Sequence, residues 1–448
     1  MKEALSATAE QPLLYGARTK KEALSGPFFW LTSFYLVYCL RPEDWVPGLR
    51  YIPMAKITGI LAIIGLLASL GKTKRGFKQL PREATYLLAM MGLLFVGAFL
   101  STVWRGGAVM HTIEFSKAYV AWVLTFLLIT TVTRLRRIVY IQAASVCVIS
   151  AVAIIKGHSV PRLDSVLAGI YGNPNDLAFA IVLSIPFALM FLVSVKGALR
   201  KAIWVFGMLF MATALFLTAS RAGFITLVIS GTVCLWHFGV KGKRPQLIVA
   251  AVLAVALLGA VAGGRLKQRF SAISGDVESS VDQNAYGSYE ERRYLMHRAV
   301  EGILHYPILG IGVHNFPTYS LKWKEVHVSY LQIGAEGGIP VLILYLLFFA
   351  RGFRNLKLLR RRKDLDEYTV LLAGALHSSL VGFVVGACFA PEAYQFFPYF
   401  AVAYTSVLFA IVKEREPARL PLIEPAAKPQ RLAEIYANDG STTFSPVR

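Results

Sequence analysis

Apolar residues along this chain gather into blocks of membrane-spanning length, at 26–41, 54–70, 84–103, 113–130, 136–155, 174–194, 202–218, 222–239, 246–263, 327–350, 368–389 and 396–413. Runs of this length, separated by short polar turns, predict about 12 transmembrane helices in an all-α, polytopic membrane protein. One polar interruption is far longer than the rest, 264–326. Within it, Ser288 and Glu291 have the spacing of a capping box, and helical periodicity follows as far as Pro307. That helix is amphipathic: Arg293, His297, Glu301 and His305 fall on one stripe, Leu295, Ala299 and Ile303 on another. A Gly310–Gly312 turn, a loop with His314, Trp323 and Lys324, and then His327 lead back into apolar sequence. His327 is therefore expected at a membrane–water boundary.

Composition agrees, since 56% apolar residues and a mean hydropathy of +0.54 exclude a soluble protein of 448 residues. A formal charge of +21 would suggest nucleic acid in a soluble chain; here it bears on sidedness, and the expected partners are membrane lipids, with no nucleic acid. One set of loops carries clusters such as Lys72, Lys74 and Arg75, Arg134, Arg136 and Arg137, and the run from Arg360 to Lys363. The alternate set carries only Arg41, Arg50, Arg105, Lys156, Arg162 and Arg221. This bias places both termini in the cytoplasm and the 264–326 loop outside. The expected organisation is a cytoplasmic tail over 1–25, spans one to nine over 26–263, an outer catalytic loop over 264–326, spans ten to twelve over 327–413, and a cytoplasmic, disordered tail over 414–448. Cys39, Cys147, Cys234 and Cys388 fall inside apolar blocks and read as small core residues.

Two short motifs stand at the outer ends of spans. In Tyr171-Gly-Asn-Pro-Asn-Asp176, Asn173 fits an N-cap, Pro174 the first helical position, and Asp176 the first turn. This is a capped helix start, and also one whose free amides could help hold an anion, with Asn173, Asn175 and Asp176 lining it. In Thr218-Ala-Ser-Arg-Ala-Gly223, Arg221 lies between two spans with almost no loop. An arginine within a span costs roughly 2.5–3.5 kcal/mol on insertion scales and usually marks a pathway or a site. Its planar fork suits bidentate contact with phosphate. Arg293 and Arg298 on the loop helix fit either a solvated face or an anion site, and His327 fits either an interfacial side chain or a general base. Asp364-Leu-Asp366 follows a basic run and precedes a helix, so it reads as charge balance. Glu43 and Asp44 are a better-placed acidic pair, but lack further ligands nearby for a divalent ion, and no metal site is expected.

Taken together, Gly-Asn-Pro-Asn-Asp176, Thr-Ala-Ser-Arg-Ala-Gly223, an arginine four residues before His297, His305-Tyr-Pro-Ile-Leu-Gly-Ile-Gly312, His327-Val-Ser-Tyr-Leu-Gln332 and Glu336-Gly-Gly338 resemble the O-antigen ligase and polysaccharide polymerase superfamily. The resemblance covers about residues 165–350. It implies a metal-independent GT-C type glycosyltransferase without cofactor, set in the bacterial inner membrane. The donor would be a glycan linked to undecaprenyl pyrophosphate, used on the periplasmic side; the acceptor would be a glycan, a lipid A core or a protein hydroxyl. Arg221 matches the family's arginine at a span end, Arg293 its loop-helix arginine and His327 its loop histidine. Arg298, His297, His314 and Glu336 join the asparagines and Asp176 as candidate substrate-binding residues. Two positions depart from the family pattern: Val328 follows His327 where asparagine is frequent, and His297 replaces an aromatic residue, which makes His297 a rival base. A flippase or other transporter of lipid-linked glycans is the alternative, disfavoured because the notable polar residues cluster at one membrane face.

Overall fold

A computed structural model describes residues 25–69, 75–160, 163, 166–253, 256 and 280–415. Among the described residues there is no strand, and the elements are α1 Ser25–Leu40, α2 Met54–Ala68, α3 Arg82–Leu100, α4 Arg105–Leu128, α5 Val132–Lys156, α6 Pro174–Ser194, α7 Ala198–Thr218, α8 Arg221–Leu235, α9 Ser280–His305, α10 Phe316–Ser320, α11 Ser329–Arg360, α12 Glu367–Gly386 and α13 Phe396–Glu414. A π-helical turn, Trp236–Val240, continues α8, and residues 245–253 are also helical. Eight of these helices are long and apolar enough to cross a membrane. Of the remaining predicted blocks, α1 and α2 have 16 and 15 residues, α4 carries Glu114 and Lys117 in its sequence, and half of 246–263 lies outside the described residues. So do the predicted tails, apart from their residues nearest the helices, and all of 264–279.

The centre of the bundle is formed by α6 and α13, each with 78% of its apolar window buried, and by α12 with 72%. By contrast α7 and α8, at 33%, present apolar residues outward. Leu199, Ile203, Phe206 and Phe210 form one exposed stripe of α7 while Trp204, Gly207, Met211 and Leu215 pack inward. An aliphatic outer stripe on a helix whose inner face is also apolar suits a lipid solvent. At the end rich in basic residues, Arg75 is 1% exposed. It donates to the carbonyls of Phe126 at 3.0 Å and Ile129 at 2.9 Å, and pairs with Glu414 at 2.6 Å, so one guanidinium satisfies the end of α4 and holds α13 to it. Asp364 pairs with Arg362, and Asp366 caps α12 by accepting from the Thr369 amide at 3.2 Å. Cys39 and Cys234 are buried, but Cys388 is exposed beyond the end of α12, unlike the core position expected for it.

The loop helix begins earlier than its capping pattern predicts. α9 already runs from Ser280, so Ser288 lies inside the helix, and Glu291 holds Lys324 at 2.8 and 2.7 Å instead of closing a capping box. The predicted buried stripe is present: Leu295 and Ala299 pack with Ile311, Phe316, Val326 and Ala335 in a small core, with Ile303 beside it. That core seats α9 on α11.

Candidate functional site

The long helix α11 breaks at Gly338, where φ is +80°. A break inside a span strands backbone groups that lipid cannot satisfy. The Pro307–Gly312 segment supplies the missing partners: Ile311 N donates to Ala335 O at 2.9 Å, Gly312 N to Glu336 O at 2.9 Å, and Ile339 N to Pro307 O at 2.7 Å. Both strands of this contact need glycine. A Cβ on Gly310 would come within 2.4 Å of Glu336 backbone, and one on Gly338 within 2.5 Å of Ile308 O. The Pro-Ile-Leu-Gly-Ile-Gly and Glu-Gly-Gly motifs are thus two halves of one device, which holds the loop against the opened helix and buries Glu336 beside it.

Around that device sits a polar cluster. His314, in the left-handed region at φ +56°, has its Nδ1 3.0 Å from Glu325 Oε1; Gln332 Nε2 donates to Glu325 Oε2 at 3.3 Å. Non-glycine residues rarely adopt that backbone, and such strain persists where the surroundings impose it. Burial would push the His314 imidazole down, but the Glu325 hydrogen bond and the charges of Glu336 and Glu325 carry it above its usual value. Glu336 accepts from the Phe316 amide at 3.2 Å through Oε1, and its Oε2 has no hydrogen-bond partner among the described residues. His111 of α4 and Tyr394 approach the His314 ring, with centroids 4.5 and 5.4 Å away.

A second cluster joins the two span-end motifs. Asn173 caps α6 by accepting from Asn175 N at 2.9 Å, and Ser220 caps α8 by accepting from Gly223 N at 3.1 Å. Ser220 Oγ in turn donates to Asn175 Oδ1 at 2.7 Å, so the start of α6 and the α7–α8 junction bearing Arg221 are locked together. Ala222, next to Arg221, packs on Phe179 and Ala390.

The segment between α12 and α13, which carries no motif read from the sequence, bridges both clusters. Glu392 N donates to Ser329 Oγ at 2.8 Å, Ala393 N to Gln332 Oε1 at 3.4 Å, and Gln395 Nε2 to Asp176 Oδ2 at 3.4 Å. Glu392 is 2% exposed; burial, reinforced by Asp176 beside it, pushes its carboxyl far above the usual carboxylate range. Its only sequence signal was a group of polar residues, Glu392, Tyr394 and Gln395, between two apolar blocks. Glu325, Arg292 and His111 were missed as well.

His327 lies two residues before Ser329, and its Nδ1 is buried without a hydrogen-bond partner among the described residues. Burial, then the charge of Arg292, lower its pKa to about 4, so the imidazole is neutral at physiological pH. Arg292 shares the α9 face of Leu295 and Ala299, whereas Arg293 and His297 are exposed on the face that also carries Met296, Val300 and Leu304. Arg298 pairs with Glu301, donates to Tyr319 O at 3.1 Å and lies 4.6 Å over the Tyr319 ring, contacts that fasten α9 to the α10 region. Glu43 and Asp44, the acidic pair of the turn after α1, both lie against Arg41, at 3.7 Å for Glu43.

The α6 start at Asn173–Asp176, the Thr218–Gly223 junction and the Ser329–Gln332 part of the His327 motif are thus joined through Glu392–Gln395, and the Pro307–Gly312 and Glu336–Gly338 motifs are joined to each other. Residues 206–346 match the O-antigen ligase family. The match supports the superfamily resemblance drawn from the motifs and implies a glycan-transferring enzyme in a membrane. Arg221, Arg293, His297, Arg298, His314, His327 and Glu336 lie inside the O-antigen ligase stretch; Asn173, Asn175, Asp176 and the bridge from Ala387 to Gln395 lie outside it. No curated protein matches the chain.

The lowered pKa of His327 has a measurable consequence for stability. A histidine whose folded pKa is depressed favours folding while it is neutral, above its unfolded value near 6.5, and that contribution is lost as pH falls toward about 4. The linkage amounts to about 3 kcal/mol at most. Detergent-solubilised wild type should lose thermal stability between pH 6.5 and 4 more steeply than His327→Gln. Parallel curves would show that His327 does not titrate in this way.

Proposed function

We propose that this protein transfers a glycan from undecaprenyl pyrophosphate to an acceptor hydroxyl in one inverting displacement, at the periplasmic face of the bacterial inner membrane. The observation that carries the reading is the hydrogen-bonded path from Ser220 through Asn175 and Asp176 to Gln395, Glu392 and Ser329, which gathers Arg221 and His327 at one end of the bundle. The exposed α9 face, with Arg293 and His297 among Met296, Val300 and Leu304, complements a lipid pyrophosphate: a cation for the anionic group and aliphatic side chains beside it for the hydrocarbon. Asn173 and Asn175 at the α6 start, with His314 across the bridge, are assigned to sugar hydroxyls, and the fully buried Glu336 to holding the loop beside His314. Arg298 is assigned a holding role for α9 next to this surface.

In this mechanism the sugar–phosphate bond breaks with its electron pair leaving on the pyrophosphate, and the guanidiniums of Arg221 and of Arg293, the latter from the exposed face of α9, stabilise that charge. His327 accepts the proton of the acceptor hydroxyl as its oxygen attacks the anomeric carbon. Its neutral form keeps a lone pair for that purpose, and no general acid is needed because pyrophosphate leaves readily. The hydrogen bond from His314 to Glu325 supports a second reading, in which the carboxylate orients His314 as the base.

Purified protein in liposomes, supplied with a lipid-linked glycan and in turn with a lipid A core, a free glycan and a hydroxyl-bearing peptide, should glycosylate one of them in EDTA as fast as in magnesium. No transfer to any acceptor would sink the enzyme reading; abolition by EDTA with rescue by magnesium would give the reaction a metal and promote Glu43 and Asp44. Sidedness has its own test. In a background without native cysteines, Lys322→Cys should react with an impermeant thiol reagent in whole cells and Asp364→Cys should not; the reverse pattern would invert every outer-face assignment.

A further inference from the structure

At the opposite end of the bundle, the π-helical turn Trp236–Val240, the end of α11 and the start of α12 enclose a cavity of about 420 Å³. This is within the size range of ligand pockets. Four cations, Lys241, Arg244, Arg360 and Arg362, line it against one carboxylate, Glu367. Two of the four are already engaged, Arg244 with Glu367 at 2.9 Å and Arg362 with Asp364 at 3.1 Å. Among the described residues neither Lys241 nor Arg360 forms an ion pair, although Lys241 lies 5.9 Å over the Trp236 ring. The rest of the wall is apolar, including Phe238, Leu359, Val370 and Leu371.

The inner wall is unusual for a place inside two spans. His237 Nε2 lies 3.1 Å from His377 Nδ1. Whichever imidazole donates, a neutral pair leaves one ring N–H and one ring acceptor for other partners. The π-turn, which places His237 there, widens the helix by one residue and is a feature found mostly where function requires it. On the other side Gly374 lets α12 approach closely, since its Cβ would stand 3.2 Å from His237 Cβ. A cationic rim, apolar walls and polar ring nitrogens beneath them match an anion attached to hydrocarbon better than a soluble anion.

We propose that this cavity is a binding site for the phosphate headgroup of an anionic phospholipid, held by Lys241 and Arg360 with its glycerol and upper acyl carbons against Phe238, Leu359 and Leu371. The site is separate from the transfer chemistry, and nothing in it depends on that reading. Each cation facing an anionic lipid contributes roughly fivefold in binding.

The test uses the full chain in nanodiscs of phosphatidylcholine alone or with one-fifth phosphatidylglycerol. Wild type should retain phosphatidylglycerol through detergent extraction, as counted by native mass spectrometry, and unfold at a higher temperature than in phosphatidylcholine. Lys241→Gln and Arg360→Gln should each lower retention about fivefold and their combination about 25-fold, with unfolding in pure phosphatidylcholine unchanged. Arg354→Gln, an exposed cation of α11 outside the cavity, should retain lipid like wild type. Equal retention by all variants, or a loss at Arg354→Gln as large as at Arg360→Gln, would overturn the site. Inorganic phosphate that raises the unfolding temperature in phosphatidylcholine as much as phosphatidylglycerol does would overturn the lipid as its occupant.

Discussion

His327→Ala should fold in the membrane, bind the lipid-linked donor and transfer glycan about 10²–10⁴-fold more slowly than wild type, the usual contribution of a positioned general base. Loss of a side chain that only packs would look different: less folded protein, with activity per folded molecule preserved. Because burial and Arg292 keep His327 neutral down to about pH 4, its protonation should not limit the wild-type rate between pH 6 and 8. Two other histidines compete for the role. His297 is exposed on α9, and His314 is oriented by Glu325 at 3.0 Å. A near wild-type rate in His327→Ala, with a folded and inactive His314→Ala or His297→Ala, would move the base to that residue.

Replacing Arg221 by lysine should lower transfer about 10²–10³-fold, the magnitude of removing one group that stabilises developing transition-state charge. Lysine keeps the charge but loses the fork that meets two phosphate oxygens at once. Ser220 and Gly223 close the cap around Arg221 at 3.1 Å, so a flexible ammonium there would start from the same backbone position without the same reach. Arg293→Lys should fall in the same direction. Full activity of either lysine variant would rule out bidentate geometry at that position and leave only a charge.

Much of this site was legible because its parts are local. The Asn173 cap, Pro174 at the first helical position and the abrupt α7–α8 junction depend on residues one to three apart, and each stands where its pattern predicts. The buried stripe of α9 follows from helical spacing. Its start did not, because a Ser-x-x-Glu pattern also occurs inside a longer helix, and here Glu291 is engaged by Lys324, 33 positions away.

By itself, then, the sequence determined the apolar blocks, the all-helical class, the caps and the family's motifs, all of which are fixed by neighbours along the chain or by transfer into lipid. Only the tertiary structure decided which motifs meet. Gln395 reaches Asp176 across 219 positions and Glu392 reaches Ser329 across 63, joining elements through a segment with no pattern of its own. It likewise decided that the glycines of 310–312 and 337–338 serve one break in α11, and that Arg292 rather than its neighbour lies where its charge reaches His327. The physical reason is the same throughout: a broken helix and a buried polar side chain must find partners wherever the fold provides them, and sequence separation places no limit on where those partners lie.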